Sequence, residues 1–447
     1  MYFQVPTVLP KHANTAKGDK KKMMRKNIQT PLPGIPVWLF CITVLMVSNL
    51  SLIAQDDWNQ WRGPNRTGVV KGLQLPQKLS ADTLQTVWTT DHGPSYSGPI
   101  VADGMVFTTE TRDRKHEVVT AYKMDTGKSL WQTRWEGAMA VPFFAKANGD
   151  WIRSTPAYAD GRLFVAGMRD LLVCLDARTG EIQWKKDFVK EFNTALPSFG
   201  YVSSPLIHEG SVYVQAGASI CRLDVQTGDV IWRAAKDGGG MFGSAFASPT
   251  VEEIHGTLQL VVQTRASLCG ISVESGEVLW KQDVPAFRGM NIVTPCRHEN
   301  GFFTSSYGGG SFFFDIKLEN GKYVSVERWR NTIQGYMSTP VIIDGYAYMH
   351  LRNRRIVCME LQTGDVMWTS TPQGEYWSMV TNGRQILALD SKGVLLLVNA
   401  NPAKFDVVDK REVTREAAWA HLAVINGSVF IRDLKRLSRL SWKVTQN

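Results

Sequence analysis

The sequence predicts an all-β chain: an eight-bladed β-propeller of four-stranded antiparallel blades, closed by an N-terminal strand. Three observations predict it. A strand–turn–strand signal occurs eight times along the 447 residues. A Gly…Trp signal follows most copies, and the strand missing from the last copy has a counterpart far upstream.

The first signal opens on a small residue and usually a Pro, runs through an apolar strand, turns, and returns as a second apolar strand. It appears as Ser97-Gly98-Pro99 with Asp103-Gly104, Ser154-Thr155-Pro156 with Asp160-Gly161, and Ser204-Pro205 with Glu209-Gly210. Ser248-Pro249 with His255-Gly256, Thr294-Pro295 with Asn300-Gly301, and Thr339-Pro340 with Asp344-Gly345 follow, then the turns Asn382-Gly383 and Asn426-Gly427. Residues of this kind before Gly supply the positive φ angles of a tight hairpin. The turn glycines lie 38 to 57 residues apart, and a period of about 45 with four short strands is the blade pattern.

The second signal reads Asp125-Thr126-Gly127…Trp131, then Gly180…Trp184, Gly228…Trp232, Gly276…Trp280 and Gly364…Trp368. The Gly turns the third strand into the fourth, and a Trp there covers the next blade, its large apolar area sealing the seam. Stacking on a cofactor is the alternative use of such a residue. Asp176 and Asp224 are placed to accept hydrogen bonds from the turn backbone. The fifth unit departs, with Asn320-Gly321 and a later Trp329, and the seventh lacks the Trp. The eighth ends after three strands, Trp419–Ile425, Ser428–Arg432 and Leu437–Trp442. The segment 84–90, with Trp88, resembles the fourth strands of other units. Joining it to the C-terminal strands removes the free sheet edges of an open ring. Trp88, Trp131, Trp184, Trp232, Trp280 and Trp368 are thus expected to dock blade on blade.

Ahead of the ring, Lys20–Lys26 is basic and 37–54 is apolar, ending at Ala54 before Gln55-Asp56-Asp57. That order reads as a secretory signal covering 1–54, with an uncleaved N-terminal anchor at 37–54 as the alternative. Residues 55–83 form an N-terminal extension, and 84–447 the propeller. The formal charge of +9 sits mostly in the leader; without its seven Lys/Arg and one Asp the body carries +3. No Lys/Arg run makes a phosphate-tracking stripe, which argues against a nucleic-acid partner. Membrane contact is expected only through the anchor. Cys174, Cys221, Cys269, Cys296 and Cys358 form no C-x-x-C pair, and four of them sit where a strand takes a small apolar residue.

The run Cys174-Leu175-Asp176-Ala177-Arg178-Thr179-Gly180-Glu181-Ile182-Gln183-Trp184 resembles the tryptophan-docking repeat of the pyrroloquinoline-quinone (PQQ) dehydrogenase superfamily, with Cys174 in place of the family's Ala. The resemblance spans about residues 84–442 and implies the same eight-bladed ring. It implies the enzyme less well, because adjacent cysteines and C-x-x-C-H are absent and no calcium-binding set stands out. The sequence is closer to the non-enzymatic repeat proteins, such as the periplasmic propeller subunit of the outer-membrane β-barrel assembly machinery. Trp58–Gly68 resembles a leader segment of exported proteins from planctomycete-type bacteria, and packing on the ring's outside is its simplest reading.

Function is expected on the connections from each outer strand to the next inner strand, which are longer than topology requires. Residues 132–153 carry Trp135, Phe143, Phe144, Trp151 and Arg153; 188–202 carry Phe199 and Tyr201; 234–247 carry Phe242; 282–293 carry Arg288 and Asn291. These make a candidate binding face, with plugging of the channel mouth as the alternative. No catalytic grouping is visible. The sequence therefore predicts an exported, non-catalytic binding or scaffold module in the periplasm or cell envelope with a protein partner, and no PQQ or calcium. A quinone-dependent dehydrogenase-like oxidoreductase is the alternative.

Overall fold

The computed structural model describes residues 57–243 and 246–444, apart from the side chain of Phe242. The leader at 1–54 lies outside the described residues. Eight four-stranded antiparallel sheets form an all-β propeller. Seven sheets take their strands in chain order, as in the second blade: Ala157–Ala159, Arg162–Gly167, Leu171–Asp176 and Ile182–Asp187. The eighth combines Ala423–Ile425, Ser428–Arg432 and Arg436–Ser441 with Gln85–Asp91 as its outermost strand. The ring closes through its two chain ends.

The middle strands are continuous apolar runs because neighbouring blades cover both faces. Leu163, Val165, Leu172, Val173 and Leu175 are all fully buried, the expected pattern for a strand inside a stack. Six inner hairpins place both turn residues at positive φ, as at Asp103-Gly104 and Asp160-Gly161. The fifth turns one residue early, on Glu299, and Gly301 begins the next strand. In the seventh only Gly383 has positive φ.

Every outermost strand pair carries a bulge. Cys174 faces Trp184 but Leu175 faces Ile182, leaving Gln183 as the extra residue. Register shifts beside Trp88, Trp131, Trp232, Trp280, Trp329 and Trp368 repeat this. A bulge re-aims the side chain next to it, and here it turns the indole sideways onto the next blade. Trp131, Trp184 and Trp232 donate Nε1–H to the carbonyls of Ala177, Val225 and Val273 at 3.0, 3.2 and 3.0 Å. Trp88 and Trp368 reach Met124 and Asn401 at 2.8 Å. A Cβ at Gly180 would stand 2.4 Å from the Trp131 indole. The turn glycine therefore serves both its positive φ and the close approach of the ring.

Trp280 behaves differently from the expected docking geometry. It donates to Gln259 Oε1 in its own blade at 2.7 Å and stacks on Phe302. The fifth blade's long hairpin, Gly310–Glu319 with Lys322–Asn331, leaves the turn glycine Gly321 with nothing near it. Trp329 on that hairpin has the docking contact instead, bonding the Leu361 carbonyl at 2.8 Å over Gly364.

The N-terminal extension does not pack on the ring's outside. Trp58 bridges Val101 of the first inner strand, and Arg62 Nη2 donates to the Pro340 carbonyl of the sixth blade at 2.7 Å. Arg66 donates to the carbonyls of Ser204 and Pro205 in the third. Val70 N–H bonds Thr381 in the seventh. A segment touching blades on all sides of the axis crosses the channel, and Trp58, Trp61, Arg62 and Arg66 are buried there. Beyond it, Leu75, Leu79 and Leu84 enter one apolar cluster with Leu387, Leu397, Leu440 and Trp442 of the last two blades. The seventh blade's outer strand, Asp406–Glu412, lacks a docking Trp. The extension fills that seam, held by Arg411 Nη1 to the Leu79 and Leu84 carbonyls and by Leu79 N–H to Asp409.

A candidate binding cup at the channel mouth

The Pro that opens each inner strand, replaced by Met379 and Leu422 in the last two blades, fixes the phase of two rings of residues. One position before it, hydroxyls link blade to blade. Gly98 N–H donates to Thr155 Oγ1 and Thr155 N–H to Ser204 Oγ, both at 3.0 Å. Ser204, Ser248 and Thr294 continue the chain through Ser248, Thr294 and Thr339 at 2.9 to 3.2 Å. The recurring small hydroxyl residue thus completes backbone donors that a strand end would leave unpaired. His421 occupies this position in the eighth blade.

Three positions before the Pro, the residue changes from blade to blade and points into the channel mouth. Tyr96, Arg153, Val202 and Phe246 supply the first four blades, and Ile292, Met337, Tyr376 and Trp419 the others. They surround a cavity of about 640 Å³, within the usual range for small-molecule sites. Trp61 of the extension and His421 also line it, their rings meeting edge to face at 5.2 Å.

Aromatic rings follow one another around the cup. Trp151 meets Tyr96 at 5.3 Å, Tyr96 meets Trp419 at 4.8 Å, and Trp419 stacks on Tyr376 at 4.1 Å. Tyr336, Tyr307 and Phe287 continue that arc. Phe144, Phe199 and Phe246 form a second arc with centroids 6.2 and 5.8 Å apart. Arg265 joins the two arcs. Its guanidinium lies 4.9 Å from the Phe246 ring, and its Nη2 donates to the Arg288 carbonyl, whose own side chain covers Phe287.

The electrostatics are one-sided. Arg153, Arg265 and Arg288 line the cup, Arg62 and Arg66 flank Trp61, and no carboxylate is among the described lining residues. Arg265 is 7% exposed, and its Nε and Nη1 have no hydrogen-bond partner among the described residues. Burial lowers the Arg66 guanidinium to about 9 and the His421 imidazole to about 3, because desolvation disfavours the charged form.

The residues anticipated from the sequence divide. Phe144 and Arg153 line the cup, as does Arg288. Trp151 meets Tyr96 edge to face, and Phe143 stands 84% exposed beside Phe144. Trp135 is not on the face: the strand Ser129–Glu136 carries it into the seam between the first two blades, where its Nε1 donates to buried Glu117 at 2.8 Å. Tyr201 is buried among Phe164, Val212 and Val214. Asn291 is a buried loop staple, donating to the carbonyls of Arg265 and Val284. The side chain of Phe242 lies outside the described residues. Trp61, Tyr376, Trp419, Arg265 and His421 were missed; an offset of three from the inner-strand Pro finds Tyr96, Arg153 and Phe246, but Tyr376 and Trp419 stand in the two blades where Met379 and Leu422 replace that Pro.

The family model described as outer membrane protein assembly factor BamB matches residues 115–370. The fold is similar to that of BamB from Moraxella catarrhalis, with a TM-score of 0.60 at 16% identity over 81% of this chain and 99% of that one. It is equally similar to quinohemoprotein alcohol dehydrogenase from Comamonas testosteroni, with a TM-score of 0.60 at 11% identity over 88% and 82% of the two chains. By sequence, 1-butanol dehydrogenase (cytochrome c) of Thauera butanivorans is 26% identical over 208 residues, 45% of this chain and 28% of that protein. The dehydrogenase subunit of the quinone alcohol dehydrogenase of Gluconacetobacter polyoxogenes is 28% identical over 150 residues, 30% and 19% of the two. The match therefore spans less than a third of these curated relatives.

Proposed function

This chain belongs to the outer membrane protein assembly factor BamB family, and from that premise we propose that it is an exported, non-catalytic binding or scaffold module of the cell envelope whose protein partner docks on the loop-bearing face. The observation that carries this reading is the exposed Phe143–Phe144 pair on the insertion at 132–153, standing at the rim of the aromatic cup. Exposed rings clustered at the edge of a concave surface are the usual anchors of a protein interface. Export rests on the basic-then-apolar leader at 1–54. No helix among the described residues is long and apolar enough to cross a membrane.

A photo-cross-linking residue placed at Phe143 in the producing cell should capture one envelope protein, and the same residue at exposed Lys317 should not. Equal capture at both positions defeats this assignment of the face.

The relatives that are quinone dehydrogenases favour a second reading, a quinone-dependent oxidoreductase. Its calcium needs several oxygen ligands, usually including carboxylates, and the described lining offers guanidiniums and no carboxylate. The cup does not fit that ion. Calorimetric titration of the full chain with PQQ should give the same result with and without calcium; calcium-dependent tight binding would restore the second reading.

A further inference from the structure

The cup has a chemistry of its own, independent of any protein on the rim. Its walls are aromatic, its charged groups are all cationic, and its ring of hydroxyls is engaged in blade-to-blade bonds. A buried guanidinium with donors left unpaired is costly unless an anion completes it; Arg265 has a single hydrogen bond, to the Arg288 carbonyl, and Asp237 acts on it electrostatically without bonding to it. Cations of one sign around a low-dielectric concavity focus a positive potential into it. A cationic ligand would meet ring faces already covered by Arg265, Arg288, Arg62 and Arg66.

We propose that the channel mouth binds a small apolar anion, a carboxylate carried on an aromatic or branched aliphatic body. The body lies against Tyr376 and Trp419, and the carboxylate turns toward Arg265 and Arg288 at the seam of the two aromatic arcs. The site goes beyond the docking reading and does not depend on it.

The test uses the full chain and a matched set of probes: 2-naphthoate, 2-naphthol and 2-naphthylmethylamine, each competing with the fluorescent anion 1-anilinonaphthalene-8-sulfonate. Naphthoate should displace the dye at a concentration at least about tenfold lower than naphthol, the effect of one charge-assisted hydrogen bond, and the amine should not displace it. Arg265→Gln and Arg288→Gln should each weaken naphthoate about tenfold and leave naphthol unchanged. Arg288 is exposed, so its variant keeps the test decisive if Arg265→Gln fails to fold. Equal competition by acid and alcohol, or full naphthoate affinity in Arg288→Gln, overturns the proposal. Phe143→Ser, whose ring lies outside the cavity lining, should retain naphthoate binding even if it abolishes cross-linking, so the two readings fail separately.

Discussion

Replacing Trp58 with Ala should destabilise the whole ring although the residue lies outside every blade. Its indole is 1% exposed and packs with Val101, Val106, Leu422 and Val424 across the junction of the first and last blades. Gly63 already approaches it so closely that a Cβ would lie 3.0 Å from the ring, so the site has little room to collapse. A buried Trp-to-Ala change of this kind costs about 3–5 kcal/mol. The two backbone bonds between Trp58 and Val101 survive the substitution, so the loss is one of packing. Unfolding entropy of about 2.1 cal/mol/K per residue over roughly 390 residues gives ~0.8 kcal/mol/K, and the expected fall in Tm is about 4–6 °C. Scanning calorimetry of the full chain measures it, with Leu318→Ala on the exposed perimeter as a control that should move Tm by less than about 1 °C. A Trp58→Ala midpoint no lower than the control's would refute a plugged channel and return the extension to the outside of the ring.

Deleting Gln85–Asp91 should leave the eighth blade with three strands and broaden or abolish the cooperative transition; an unchanged denaturant midpoint would contradict closure through the termini. Trp184→Ala should cost about 3 kcal/mol, since its half-buried indole seals the second and third blades, while Phe143→Ala should stay within about 0.5 kcal/mol. Buried Asp170 accepts from Gly217 N–H at 2.8 Å, and desolvation raises its carboxyl to about 7. A folded value above the unfolded one favours the native state at low pH and loses that contribution as pH rises from about 4 to 7. Asp170→Asn should therefore raise Tm at pH 8 by more than at pH 4; equal shifts at both would show that the carboxyl does not titrate there.

The ring was legible because its turns are local. Asp160-Gly161 and Thr179-Gly180…Trp184 state a hairpin, a turn and a seam within 25 residues, and each requirement is met by residues close in sequence. Trp280 misled for the same reason: whether a docking Trp finds its glycine depends on the next blade's hairpin, and that one is long. The extension was illegible because its contacts are distant. Arg62 bonds a carbonyl 278 positions away and Arg66 one 139 away, and nothing in Trp58–Gly68 advertises that partners lie inside a channel. The cup was half legible. Loop length located it, but loop aromatics such as Trp135 and Tyr201 were needed for seams, and the lining came instead from one phase of the repeat.

The extension that fills the channel also continues as the outer strand of the last blade, which has an effect on how the protein must be made. Thr86 pairs with Leu440 and Gln85 with Ser441, so the first-made part of the domain waits for the last-made part. Contacts of such sequence separation are slow to form, because loop-closure entropy opposes them before any burial repays it. Until then the C-terminal strand Arg436–Ser441 and the last seam stand open, and unpaired edges of that kind invite association with other chains. Once shut, the circle has no end from which to fray. Opening it requires breaking a seam, and Trp58 is buried at the junction of the first and last blades. Slow closure and slow opening are both expected of one such connection.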